Sequence, residues 1–153
     1  MTLNNEAQLR KFLIEKCAKA VEGAEEKVHR EIAGNINQFY TEFHPKEYIR
    51  TGELFNSLES TGVVKTSNGA IAEIRINQPK WEHGRVPLQS GGYGYANWSD
   101  ELILDVAMTG GYGSLPHGGY EEGTAIWTES MANLGGKAGI KNILKQELKK
   151  QGL

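Results

Sequence analysis

The chain has one cysteine, four prolines and no long apolar run in 153 residues, and each scarcity closes off a class of protein. A lone Cys17 excludes an internal disulfide. Its place on the apolar face of a helical pattern predicts a buried thiol rather than a reactive one. No apolar stretch approaches the ~20 residues that cross a bilayer, and the first residues lack the apolar core of a signal peptide. A cytoplasm is therefore the expected place of synthesis and folding, with no membrane partner. The net charge is only −2, so nothing in the overall balance argues for a general electrostatic grip on nucleic acid.

Catalytic and cofactor motifs are scarce too. Gly92-Tyr93-Gly94 and Gly111-Tyr112-Gly113 lack the strand–loop–helix context of a phosphate cradle, and Gly113-Ser114 leads into Leu-Pro rather than Lys-Ser. The histidines His29, His44, His83 and His117 stand alone in sequence, without His-x-x-x-His or Cys-x-x-Cys spacing. Glu82-His83 and His117 with Glu121 or Glu122 would have to converge from a distance to hold a metal. There is no Gly-x-Ser-x-Gly. No cofactor, metal or catalytic residue is assigned on this basis. One enzyme alternative stays open: a carbohydrate-active or peptidoglycan-directed activity using the loop carboxylates Glu121 and Glu122 with sugar-stacking aromatics.

Against these absences stand an ordered N-terminus and an unusual number of glycines. Residues 5–43 contain no proline, and Leu9, Leu13, Cys17, Val21, Ala24, Val28, Ile32, Ile36, Phe39 and Phe43 recur at helical steps. The spacing predicts one long helix within 1–44, ended by Pro45. Gly23 and Gly34 each weaken it by about 1 kcal/mol relative to alanine and mark candidate bends. A helix this long on a small body is a common docking element for a second copy. The 19 glycines and the 39% hydrophobic share predict long loops around a modest core.

Further along, Val63-Val64-Lys65-Thr66 runs into Asn68-Gly69, and residues 70–77 alternate, so 62–77 reads as a β-hairpin with Asn68-Gly69 as its turn. Residues 78–123 read as two glycine- and aromatic-rich loops flanking a short helix, 99–109, capped by Ser99 and stopped by Gly110-Gly111. Tyr93, Tyr95, Tyr112 and Tyr120 are candidate interface anchors on these loops; packing onto their own domain is the alternative. Residues 124–130 read as a strand with Ala125 and Trp127 on one side. Residues 137–150 read as a helix whose apolar face, Ile140, Ile143, Leu144 and Leu148, is interrupted by Glu147. Lys145, Lys149 and Lys150 in its last turn suit the helix dipole.

Between the long helix and the hairpin lies Tyr48-Ile49-Arg50-Thr51-Gly52-Glu53-Leu54-Phe55-Asn56-Ser57-Leu58. Thr51 is placed to cap a short helix over 51–59, with Glu53 in the first turn, Leu54, Phe55 and Leu58 as its apolar face, and Ser57 among them. By itself this is a capped turn at an element junction. In context it resembles a known family. A long helix, then Arg-Thr-Gly-x-Leu-x-x-Ser-Leu, then a hairpin and a C-terminal amphipathic helix is similar to the tail-completion proteins (neck, or head–tail joining) of tailed bacteriophages. The family segment Thr-Gly-x-Leu-x-x-Ser-Ile/Leu falls on Thr51, Gly52, Leu54, Ser57 and Leu58, preceded by a Tyr-x-Arg at Tyr48 and Arg50. The chain departs from the family pattern later: Trp81-Glu82-His83-Gly84 and Tyr120-Glu121-Glu122-Gly123-Thr124 match its Tyr…Glu-φ-Gly-Thr segment only in part, and nothing matches its Ala-Arg-Pro-Phe segment.

The resemblance implies a structural virion protein of the neck, not an enzyme. Copies would form a homo-oligomeric ring, sixfold in the family, between the head connector or adaptor and the tail tube or terminator. Such a ring encircles the path of packaged DNA, which makes Lys145, Lys149 and Lys150 candidate channel-lining residues. The expected fold is a single α+β domain over 1–153: a long N-terminal helix and a C-terminal helix packed on a small antiparallel sheet, with long glycine- and aromatic-rich loops.

Overall fold

The computed structural model describes residues 5–42, 52–77 and 126–153. Their elements are α1 (Glu6–Glu42), α2 (Glu53–Ser57), β1 (Leu58–Ser60), β2 (Val64–Lys65), β3 (Ala70–Ile71), β4 (Ile74–Ile76), α3 (Ile126–Asn133) and α4 (Gly136–Lys150). The architecture is α+β and mainly helical, with a long N-terminal helix, C-terminal helices and a small antiparallel sheet. The chain divides into two compact units, one of Met1–Glu31, Glu59–Arg75 and Met131–Leu153, the other of Ile32–Leu58 and Ile76–Ser130. The expected helix over 99–109, the loops around it, and Tyr48, Arg50 and Thr51 lie outside the described residues.

Helix α1 starts where Asn5 caps it, its side-chain oxygen accepting the Gln8 N–H at 2.8 Å. It then runs 37 residues, about 55 Å at ~1.5 Å per residue, through both Gly23 and Gly34. Neither glycine ends it.

In the first unit the buried apolar residues are all small: Ala18, Ala20 and Ala24. The expected stripe is only partly covered. Leu9 and Leu13 are 44% and 38% exposed, and Cys17 is half-buried rather than sealed in the interior. The helical period is right, but the cover stops at this level. Leu13 and Cys17 border an open recess beside the hairpin tip at Ser67, Asn68 and Gly69.

The hairpin differs from its sequence pattern in two places. Its inner strands pair antiparallel, Val64 with Ile71 and Lys65 with Ala70, while β1 pairs separately with β4. Thr61 donates its N–H to Glu73 (2.9 Å), so Gly62 and Val63 together lie opposite the single residue Ala72. This is a one-residue bulge, and Gly62 takes the left-handed φ of 67° that such a bulge requires. Ser60 Oγ accepts the Gly62 N–H, and Thr61 Oγ1 accepts the Glu73 N–H, so the interrupted ladder keeps its partners.

The tip is shifted by one residue as well. Thr66 donates to the Gly69 carbonyl, which leaves Ser67 and Asn68 at the turn, and Gly69 keeps an ordinary φ. Arg10 is bonded to the tip in this register: its Nε donates to the Ser67 carbonyl (3.1 Å) and its Nη2 to Asn68 Oδ1 (2.7 Å). The tip is held from α1 and does not depend on an Asn-Gly turn.

In the second unit the buried apolar residues are larger: Ile32, Ile36, Phe39, Leu54 and Ile126. The short helix α2 ends at Ser57, and Leu58 and Glu59, expected to be helical, are already in β1.

The expected strand over 124–130 is not formed where the structure describes it, since Ile126–Asn133 is helix α3. Ile126 and Ser130, one turn apart, are fully buried, whereas Trp127 is 46% exposed. The period is helical, but its second inward position is a serine, and the adjacent Thr and Trp imitate a strand pattern.

Helix α4 follows a tight corner. Gly135 caps it with φ 75° and no side-chain hydrogen bond, and a Cβ on Gly139 would overlap the Leu134 carbonyl oxygen. By contrast, a Cβ on Gly34 would meet nothing. Gly34→Ala should therefore stabilise the protein by about 0.5–1 kcal/mol. Gly139→Ala should destabilise it by about 1–3 kcal/mol through forced movement of the corner. Urea unfolding of the two variants beside the wild type checks both signs.

Candidate functional site

The most unusual chemical feature among the described residues is the acid that interrupts the apolar face of α4. Glu147 is buried, and its Oε1 lies 2.8 Å from Lys27 Nζ on α1 and 2.7 Å from Lys150 Nζ one turn along α4. The two ammonium groups keep much of their surface in water, with side chains 38% and 60% exposed. Their aliphatic stems reach inward while the charges stay partly solvated, which limits the cost of the pair.

Room for the carboxylate comes from Gly23. A Cβ there would stand 2.9 Å from Glu147 Oε2 and 3.1 Å from its Cδ. Gly23 and Lys27 are four residues apart on one face of α1, so glycine makes the space and lysine supplies the charge. The hydrogen bond from Lys150, then that from Lys27, holds the Glu147 carboxyl below its ordinary pKa; these outweigh the opposing effect of burial.

Two neutral polar contacts are also buried. Ser130 Oγ donates to the Ile126 carbonyl (2.6 Å) and accepts from Asn35 Nδ2 of α1 (2.8 Å). Ser57 Oγ donates to the Leu54 carbonyl (2.8 Å), and the Ser57 carbonyl accepts the Asn77 N–H (2.8 Å). These bonds satisfy the buried groups within the fold.

The motif residues have distinct places. Gly52 is the N-cap of α2, in the left-handed region at φ 75°, and no side chain caps the helix. Leu54 and Ser57 are buried, Leu58 is half-buried, and Phe55, expected on the apolar face, is exposed. Of the candidate channel residues, Lys145 and Lys149 are exposed, whereas Lys150 is engaged by Glu147. Tyr93, Tyr95, Tyr112 and Tyr120 lie outside the described residues, as do Glu121, Glu122, His44, His83 and His117.

Sequence reasoning missed Gly23, Lys27 and Asn35 as partners. A usable signal existed for the first two: a lone acid on an apolar face needs a cation opposite, and a glycine four residues from a lysine offers one.

Among the described residues, no three His, Cys, Asp or Glu side chains converge as metal ligands. No described helix is long and apolar enough to cross a membrane. The recess of about 460 Å³ beside Arg10, Ile14, Lys65 and Ser67 is open to solvent, unlike the enclosed pockets that bury small molecules. Comparison of the chain with models of protein families, with curated proteins and with solved structures finds no match.

Two measurements probe the carboxylate. Because its pKa is lowered in the folded protein, its stabilising effect is complete above the ordinary glutamate value of about 4.5 and is lost as pH falls through the lower folded value. The stability advantage of wild type over Glu147→Gln should be constant near neutrality and shrink on acidification below about pH 4. Thermal unfolding of both proteins across pH 3–7 follows it. Gly23→Ala should gain less stability than Gly34→Ala, and a Glu147→Ala background should remove the difference, as a double-mutant cycle would report.

Proposed function

We propose that the chain is a structural assembly subunit of the neck of a tailed bacteriophage, joining the head connector to the tail as a homo-oligomeric ring, and that it is not an enzyme. The observation that carries the proposal is the placement of the motif in the fold. Gly52 takes a left-handed φ of 75° at the cap of α2, and Leu54 and Ser57 are both buried. Ser57 then passes its carbonyl to Asn77, so the helix leads directly into a paired strand. Glycine, leucine and serine at these positions each meet a steric or hydrogen-bonding requirement, which favours the family segment over a chance string of residues.

A second feature agrees with an assembly role. The cross-strand pair Val64 and Ile71 is 57% and 60% exposed, and Leu9 and Leu13 of α1 are also exposed. Apolar side chains on a hairpin and a helix offer surface for another subunit. On this proposal Tyr93, Tyr95, Tyr112 and Tyr120 contact neighbouring subunits, the connector or the tail, and the protein resides in the virion after synthesis in the host cytoplasm.

Electron microscopy of particles made without this gene tests the proposal. DNA-filled heads beside separate, finished tails are expected. Intact, infectious virions would remove the assembly role.

A further inference from the structure

The hydrogen bonds that fix the hairpin tip also fix a charge beside a groove. Arg10 uses one N–H on Nε and one on Nη2 to hold Ser67 and Asn68. Its other three donors, two on Nη1 and one on Nη2, have no partner among the described residues. Arg10 lines two open recesses of about 460 and 200 Å³. They share Ile14 and Ser67 as well, so together they form one groove between α1 and the tip.

This groove combines an apolar lining with a positive rim. Ile14 lines both recesses, Ala7 the larger one, and Leu13 and Cys17 the smaller. Arg10, Lys11 and Lys65 supply the charge, opposed by Glu15 alone. Lys11 and Lys65 are exposed and enter none of the ion pairs formed among the described residues. Val64 and Ile71 adjoin Lys65 and Ala70 along their strands, so they lie on the other face of the hairpin.

We propose that this groove docks a segment of a partner protein that carries bulky apolar side chains beside carboxylates. The apolar group lies over Leu13, Ile14 and Cys17, and the carboxylates meet Arg10, Lys11 and Lys65. Lining and charge choose this occupant together. A polyphosphate such as DNA would satisfy the cations but bring nothing to cover the apolar lining. An apolar segment without acids would cover Leu13 and Ile14 but leave the cations partly desolvated and unpaired. The larger recess has the volume of a small-molecule site, but its open side would leave such a molecule in water. A side chain delivered by a partner is backed by its own main chain. The remaining Arg10 donors form an end-on fork that matches a planar carboxylate. Because the hairpin tip already orders this guanidinium, little of its freedom is left to lose on binding.

The test is fluorescence anisotropy of a labelled peptide, Asp-Asp-Leu-Phe-Asp-Asp, titrated with the full chain at low salt. Saturable binding is expected. Replacing Leu and Phe of the peptide by Ser, or its Asp residues by Asn, should each weaken binding by about fivefold or more. On the protein, Lys11→Glu with Lys65→Glu should cost about tenfold in affinity, and Leu13→Ser about fivefold. Lys19→Glu, at an exposed lysine of α1 outside the groove, should stay within about twofold of wild type. Cys17 is the only cysteine of the chain and borders the groove, so its rate of reaction with a water-soluble disulfide reports occupancy. Saturating peptide should slow that reaction. If the double charge reversal fails to fold, Lys11→Gln with Lys65→Gln should give a smaller loss in the same direction. No binding at about 1 mM chain, equal binding of the Ser or Asn peptides, or an unaltered Cys17 rate would overturn the proposal. So would displacement of the peptide by duplex DNA as readily as by unlabelled peptide. The groove lies within one chain, so this result and the outcome of particle assembly are independent.

Discussion

The buried carboxylate of Glu147 constrains how α4 meets α1. A charge in that position is tolerable only with cations at hydrogen-bonding distance, and among the described residues Lys27 and Lys150 supply them. It also needs the absence of a side chain at Gly23. These conditions fix the rotation of α4. A shift by one residue turns the helix by ~100°, puts Gln146 or Leu148 where the acid belongs and carries the acid away from Lys27. Around it the buried residues of this unit are alanines, whose shapes discriminate weakly between alternative packings. The ion pair supplies the register that small side chains do not.

The other unit reaches a defined packing by a different route. Its buried residues are branched and aromatic, and its buried polar groups are neutral. Ser57 and Ser130 each return a hydroxyl proton to a carbonyl of their own helix, at Leu54 and Ile126, so each enters the interior without an orphaned donor. Ser130 then has a lone pair for Asn35, which ties α3 to α1 by a directional bond. A serine one turn from a buried isoleucine thus acts as an apolar position in packing and as a polar one in orientation.

This difference governs what the sequence reveals. The long helix, the C-terminal helix and the inner hairpin follow from periodicity, because runs of apolar residues at steps of three to four, or of two, have few other uses. The helix at Ile126–Asn133 was disguised, since its buried positions are an isoleucine and a serine while its tryptophan faces solvent. The hairpin turn was misplaced by one residue because Asn68-Gly69 is a strong local signal, but Arg10, nearly sixty residues earlier, holds the tip elsewhere. Gly23 read as a weakness of α1 because its purpose lies on another helix. Local patterns were legible and long-range partners were not. Of the expected site residues, Lys150 changed most: it suits the helix dipole, and its ammonium is also one of the two that neutralise a buried acid. The tyrosines of the glycine-rich stretch lie outside the described residues.

Helix α4 therefore holds its lysines in two settings, and the difference has a physical consequence. Lys150 acts at 2.7 Å on a carboxylate shielded from water, where mobile ions screen little. Lys137, Lys141, Lys145 and Lys149 act outward through solvent, where the screening length is about 8 Å at physiological salt. Added salt thus weakens the outward row far more than the inward pair. Were Glu147 on the surface instead, its charge would partly cancel those of its exposed lysine neighbours, and salt would weaken its pairing with Lys27 and Lys150 as readily as theirs with solvent ions. Burial of the single acid on this helix keeps the packing of α4 on α1 apart from the solvated charge on its outer side.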